Sequence, residues 1–221
     1  MVKLKMMKTQ TKRRRLSAKV REQQIVDEAI QFFAEVGFGG GTRGLAKRIG
    51  ITQPLLYRYF PTKEELIDRV FDEVFVRPLD RTWAARILDR SSPLEERLKN
   101  FYIQYGKIVH RYEWIRIYMF SGLIGDAVNR RYIRMIEDEF LKPMCGEIRD
   151  YCNLPSVESM PIEELELEKL WILHGGLFYY AVRKNIFHSR VNNDYAKIVV
   201  TAIELFLEGI KATYNRGKNN D

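Results

Sequence analysis

The chain has 221 residues, of which 46% are apolar and 30% charged, with a formal net charge of +8. That length suits one ordinary domain with a small satellite; no apolar run is long enough to span a bilayer, and the first residues are polar and basic, unlike a signal peptide. The charge is uneven: residues 1–63 hold 14 Lys/Arg against 4 Asp/Glu, and residues 64–221 hold 23 against 25, so a polyanionic partner is expected at the amino-terminal end alone.

Helical periodicity dominates from end to end, and nothing alternates at period two for long. Residues 1–18, with the run Lys12-Arg13-Arg14-Arg15, form a basic arm. Residues 19–36 put Ile25, Val26, Ala29, Phe32, Phe33 and Val36 on one helix face, and Gly37-Phe38 is a glycine stop with an apolar residue packing back. After the loop Gly39–Gly41, a short helix runs from Thr42 to Ile49, with Leu45, Ala46 and Ile49 inward and Gly50 as its breaker. Thr52 is a good N-cap for the next helix, which tolerates Pro54 in its first turn and ends at Pro61. Thr62 and Glu65 make a capping box for a helix from about Lys63 to Val76 that could continue past Pro78.

The remainder reads as helix after helix. Ser92-Pro93-Leu94-Glu95 is expected to be a second capping box, opening a helix to about Tyr112. Further helices are expected at 113–124, at 128–152 with a bend or break near Pro143, at 162–187 and at 193–214; the segment 153–161, with two prolines, is a loop. Cys145 and Cys152, seven residues apart, lie about 10 Å apart along a shared helix, too far for a disulfide, which fits two buried thiols in a reducing cytoplasm.

Residues 42–60 have the layout of a helix-turn-helix: two short helices, a tight glycine turn and a hydroxyl cap. Such a second helix enters a major groove with its amino terminus leading. Gln53, Pro54, Leu55, Arg58 and Tyr59 are its exposed positions, while Leu56 and Phe60 hold it to its neighbour. Gln53 can bond a base edge bidentately, and Pro54 and Leu55 can meet a thymine methyl. Thr52, Tyr57, Tyr59 and Lys63 can bind phosphate oxygens, and the amides opening the helix after Thr62 add a further phosphate site.

The stretch FAEVGFGGGTRGLAKRIGITQPLLYRYFPTKEEL, Phe33 to Leu66, resembles the DNA-binding domain of the tetracycline-repressor (TetR) family. Phe33, Gly37, Leu45-Ala46, Gly50, Thr52, Leu56-Tyr57, Tyr59-Phe60, Lys63-Glu64 and Leu66 carry the resemblance, which covers about residues 20–70; Gly41 and Gly44 depart from the pattern. The resemblance implies that Thr42, Arg43, Thr52, Gln53, Pro54, Leu55, Tyr57, Tyr59 and Lys63 contact an operator. It also implies an all-α fold, with a helix-turn-helix domain at 19–66 and a larger helical regulatory and dimerisation domain at 67–221.

Gly39, Gly41 and Gly44 also satisfy a G-x-G-x-x-G pattern, but a dinucleotide site needs a strand before it and a βαβ unit around it. His110, His174 and His188 have no second ligand type at metal spacing, and no Walker, H-E-x-x-H or G-x-S-x-G sequence occurs, so neither metal nor cofactor nor enzymatic activity is expected. A helical enzyme or carrier with an incidental basic head therefore has nothing catalytic behind it. An architectural DNA protein would spread its basic surface along the chain.

In the body, aromatic residues cluster between 101 and 120 and again between 171 and 180. Most are expected to be core, but an aromatic cavity with a few polar groups is the usual form of a small-molecule site. Trp83, Tyr102, Trp114, Tyr118, His174 and Phe178 are the candidate lining for an apolar or aromatic effector, with Arg116 free to pair with a single anionic group. Ile198, Val199, Ala202, Ile203, Leu205, Phe206, Gly209 and Ile210 give the last helix more apolar surface than one buried stripe requires. The resemblance implies that the last two helices pair into a homodimer. The expected function is therefore a cytoplasmic, ligand-responsive homodimeric repressor of a palindromic operator in double-stranded DNA.

Overall fold

Local capping signals set the helix boundaries. In the computed structural model, which describes residues 17–123 and 127–217 and side chains as far as residue 214, every regular element is helical. The basic arm expected at 1–18 lies almost wholly outside the described residues. Helix α1 (Ala18–Val36) is capped by Ser17, whose hydroxyl accepts from the amide of Val20. Helix α2 (Thr42–Ile49) stops at Gly50, which adopts the left-handed conformation at φ 72° that a side chain would resist. Thr52 caps α3 (Gln53–Tyr59), and Thr62 caps α4 (Lys63–Phe71).

The body holds α5 (Trp83–Leu88), α6 (Leu94–Val109), α7 (Tyr112–Leu123), α8 (Ala127–Ile136), α9 (Lys142–Tyr151), α10 (Glu164–Asn185) and α11 (Tyr195–Gly217). Ile25, Ala29, Phe33, Leu45, Leu56 and Leu66 are fully buried at the amino-terminal end. They belong to one apolar cluster that continues through Phe75, Trp114 and Phe140 into the body. Cys145 and Cys152 are free and buried, and burial pushes the Cys145 thiol up to about 12.

Some local expectations change. The helix of α4 passes at Asp72 into a wider π-helical turn that ends at Val76, so it does not run past Pro78. A second such turn, Glu137–Leu141, supplies the interruption expected near Pro143, which lies in the first turn of α9 directly after it. The capping box at Ser92 does not form: Pro93 occupies the N-cap position, so Ser92 falls one residue too early. At α4 the Thr62 hydroxyl caps the Glu65 amide without the reciprocal bond, and a reciprocal box forms instead at α10, where Glu163 and Glu166 cap each other's amides.

Candidate nucleic-acid interface and body cavity

Helix α3 is only seven residues long and is held by its inner side, with Leu56 and Phe60 buried. Its amino terminus and outer side carry Thr52, Pro54, Tyr57 and Arg58 as exposed residues, with Gln53, Leu55 and Tyr59 half-buried. Pro54 in the first turn costs no hydrogen bond, because that amide would have no helical partner.

Helix α2 sits on α1 through Arg48, whose guanidinium donates to both carboxylate oxygens of Glu35 at 2.6 and 2.9 Å and lies 3.5 Å from Glu28. That leaves Arg43 and Lys47 as the exposed cations of α2 outside this ion pair. Gly44 lies under the ring of Phe32, where a Cβ would come within 3.3 Å. The small residue that departs from the family pattern is therefore matched to its packing.

Thr42 and Lys63 are less free than the sequence suggests. Thr42 is buried, at 9% exposure. Its hydroxyl accepts from Nε2 of Gln53 at 2.9 Å and shares a hydrogen bond with the hydroxyl of Tyr57 at 3.1 Å. Lys63 is half-buried, and its ammonium group donates to the main-chain oxygen of Phe38. It therefore ties the start of α4 to the turn after α1.

The body contains an aromatic cavity of about 210 Å³ between α7, α8 and α10. Trp114 and Tyr118 of α7, His174, Gly175 and Phe178 of α10, and Tyr132 of α8 are among the residues that line it, with Tyr105 of α6 behind. Trp114 and Tyr118 stack at 5.1 Å between ring centroids, and Phe178 meets both edge-on. The lining carries no charged side chain. Burial holds the His174 imidazole down to about 4, so it is neutral near neutral pH. Its Nε2 is 3.3 Å from the Tyr105 hydroxyl, which bonds that of Tyr132 at 2.6 Å. Among the described residues, Trp114 Nε1 and His174 Nδ1 have no hydrogen-bond partner.

Four of the six expected lining residues thus come together, and two do not. Trp83 packs edge-on against Phe101 and opens instead on a separate, more polar cleft of about 350 Å³ beside Arg97, Asn100 and Gln104. Tyr102 is fully buried between Phe101 and His174, one layer behind the cavity. Tyr105, Tyr132 and Trp171 take their places. Arg116 is not available to an anionic effector: it faces away from the cavity and donates to the main-chain oxygens of Ala34 and Glu35 in α1, at 2.5 and 3.4 Å.

The contacts between the two ends of the molecule run through α7 and α8. Glu113 accepts from Gln31 at 2.9 Å, and a Cβ on Gly37 would meet the ring of Phe120 at 3.0 Å. Arg131 pairs with Asp68 and lies over the ring of Phe71. On the outside of the body, α10 exposes Leu165, Ile172 and Tyr179 at seven-residue spacing, and α11 exposes Leu205. Val199, Ile203 and Ile210, which seemed part of this surplus, are buried within the chain itself.

Among the described residues, no group of three or more His, Cys, Asp or Glu side chains is placed to hold a metal ion, and no helix is long and apolar enough to cross a membrane.

Residues 25–70 match the family described as bacterial regulatory proteins, tetR family. The HTH-type transcriptional regulator LuxR of Vibrio harveyi is 38% identical over 63 residues, which are 28% of this chain and 31% of LuxR. The class D tetracycline repressor protein of Escherichia coli is 34% identical over 64 residues, 28% of this chain and 29% of the repressor. The matched segments thus span less than a third of these relatives. The whole fold is similar to that of a TetR-like transcriptional regulator from Rhodococcus sp. RHA1, with a TM-score of 0.63 and 21% identity over 88% of this chain and 100% of the other. It is also similar to Mycobacterium smegmatis AmtR, with a TM-score of 0.60 and 19% identity over 90% of this chain and 96% of the other.

Proposed function

We propose that this chain, which belongs to the tetR family of bacterial regulatory proteins and is a DNA-binding regulator, represses transcription as a homodimer and releases its operator when a small ligand enters the aromatic cavity. The observation that carries the ligand response is the double role of α7. One side of this helix lines the cavity through Trp114 and Tyr118. The other holds the end of α1 through Glu113, Arg116 and Phe120. A ligand that wedges α7 away from α10 shifts the surface on which the helix-turn-helix rests.

Gln53, Pro54 and Leu55 read base edges, and Arg43, Thr52, Tyr57, Tyr59 and Lys63 bind the backbone. The short, capped α3, with its exposed amino terminus, supports this division. Leu165, Ile172, Tyr179 and Leu205 form the core of the dimer interface, since an exposed apolar stripe at heptad spacing calls for a partner helix. A twofold dimer then sets two copies of α3 about 34–36 Å apart, one DNA turn. The domain boundary falls near residue 66, with 19–66 as the DNA-binding unit and 67–221 as the regulatory unit.

The effector is small, uncharged and largely aromatic. An engineered apolar cavity of about 150 Å³ holds benzene, so this one holds a substituted single ring. The lining offers no counter-charge to an ion. The unpartnered nitrogens of Trp114 and His174 favour a ligand with one polar group. Thermal-shift screening of neutral aromatic metabolites, with operator release as the second readout, tests this reading. Stabilisation together with release supports it; binding of a polyanionic or sugar-like compound that releases DNA overturns it.

A further inference from the structure

We infer that Thr42 positions Gln53 for base reading and does not itself touch the operator. This rests on α3 being the recognition helix. Thr42 opens α2, is buried, and its hydroxyl joins two residues of α3: it accepts from the Gln53 amide and bonds the Tyr57 hydroxyl. At 9% exposure the Thr42 hydroxyl is screened from a phosphate, and when it gives its one hydrogen to Tyr57 it has none left to donate to one.

The direction of these bonds has a chemical consequence. Nε2 of Gln53 spends one hydrogen on Thr42, which holds the amide and leaves Oε1 and the second N–H for a base edge. An acceptor beside a donor complements adenine, which presents N6–H and N7 in the major groove; guanine would set O6 against Oε1. With one lone pair occupied by Gln53, Thr42 can pass its own hydrogen to Tyr57, an exposed residue whose hydroxyl can then donate to a phosphate oxygen. Gln53, Thr42, Tyr57 and phosphate thus form one directed chain of hydrogen bonds, in which phosphate docking reinforces the amide orientation. A free glutamine would have to be ordered on binding; this one is ordered beforehand.

The test uses the full-length chain. The base position read by Gln53 is first identified as the one whose preference disappears in Gln53→Ala during selection from random DNA. Thr42→Val keeps the bulk and removes the hydroxyl. It is expected to reduce discrimination at that same position by about 10-fold, within the range of one bidentate contact, while affinity for random DNA stays within about twofold. Thr42→Ser is expected to restore the preference, and Tyr57→Phe to weaken specific and random DNA alike. Thr42→Ala gives the same readout if the valine variant does not fold. Equal weakening of every sequence by Thr42→Val and Thr42→Ala would make Thr42 a backbone contact and overturn the inference, as would unchanged preference at the Gln53 position. If Gln53→Ala alters no position, α3 is not the reader, and the functional proposal fails first.

Discussion

Arg116 on α7 donates through Nε to the main-chain oxygen of Ala34 on α1 at 2.5 Å. The carbonyls of the last turn of a helix have no partner within it, and Arg116 satisfies that of Ala34 and approaches that of Glu35. Its charge also opposes the negative end of the α1 dipole. The guanidinium is flanked by the rings of Tyr112 and Phe120 from its own helix. This is a rigid strut between the cavity wall and the helix that carries α2. Arg116→Ala is expected to cost about 1.5 kcal/mol of stability, the low end for a charge-assisted hydrogen bond because the group is part-exposed. It should also reduce the ligand-induced change in operator affinity. Chemical denaturation and operator titration with and without ligand measure the two effects; an unchanged ligand response would show that coupling takes another route.

Gly175 lies on the cavity side of α10, and a Cβ there would meet nothing within 4 Å. Gly175→Ala is therefore expected to stabilise the helix by about 0.5–1 kcal/mol. Gly175→Leu projects its side chain into the cavity, and is expected to abolish the ligand response while leaving DNA affinity intact. Melting temperature and operator release check both. A leucine variant that still responds fully to ligand would place the effector site elsewhere.

Acid should destabilise the fold through its buried histidines. Burial holds His174 down to about 4, against about 6.5 in an unfolded chain. Between those values the unfolded chain binds the proton and the folded one does not. Stability is therefore complete above about 6.5, falls as the pH drops through that window, and levels off below about 4. His110, lowered to about 4 by burial and then by Lys184, titrates in the same window. His174→Gln is expected to remove roughly half of the slope, up to about 1.4 kcal/mol per pH unit. Denaturation midpoints from pH 4 to 8 give the slope; an equal slope in wild type and variant would contradict it.

Ile172 and Leu205 are largely exposed, so charging them should cost the single chain little. Ile172→Glu together with Leu205→Glu is expected to give a folded monomer with operator affinity lowered by at least 100-fold. Sedimentation and circular dichroism distinguish this from unfolding. A wild-type chain that already sediments as a monomer at micromolar concentration would remove the dimer from the proposal.

The helix-turn-helix was legible in the sequence because its signals are local. Gly37, Gly50, Thr52 and Thr62 each act within one turn of their own position. What the sequence hid depends on neighbours far along the chain. The two π-helical turns add a residue to a helical repeat without a residue type that marks them. Trp83 and Tyr102 looked like cavity lining because aromatic content alone does not say on which side of Phe101 each ring falls. Arg116 is two residues from both Trp114 and Tyr118, but its side of α7 is settled only when α1 packs there. Lys63 kept its exposed look until the turn at Phe38 came within reach. Lys63→Ala is accordingly expected to lower domain stability as well as DNA affinity, where Arg43→Ala, exposed on α2, should lower affinity alone and reduce the salt slope by about 1.

The most direct measurement is selection of binding sites from random duplex DNA with the full-length chain, repeated with Gln53→Ala. Enrichment of an inverted repeat with half-sites about one helical turn apart, and loss of preference at one symmetric pair of positions in the variant, is the expected result. Absence of any enriched sequence, or enrichment of one asymmetric site unaffected by Gln53→Ala, would contradict operator recognition by a dimer through α3.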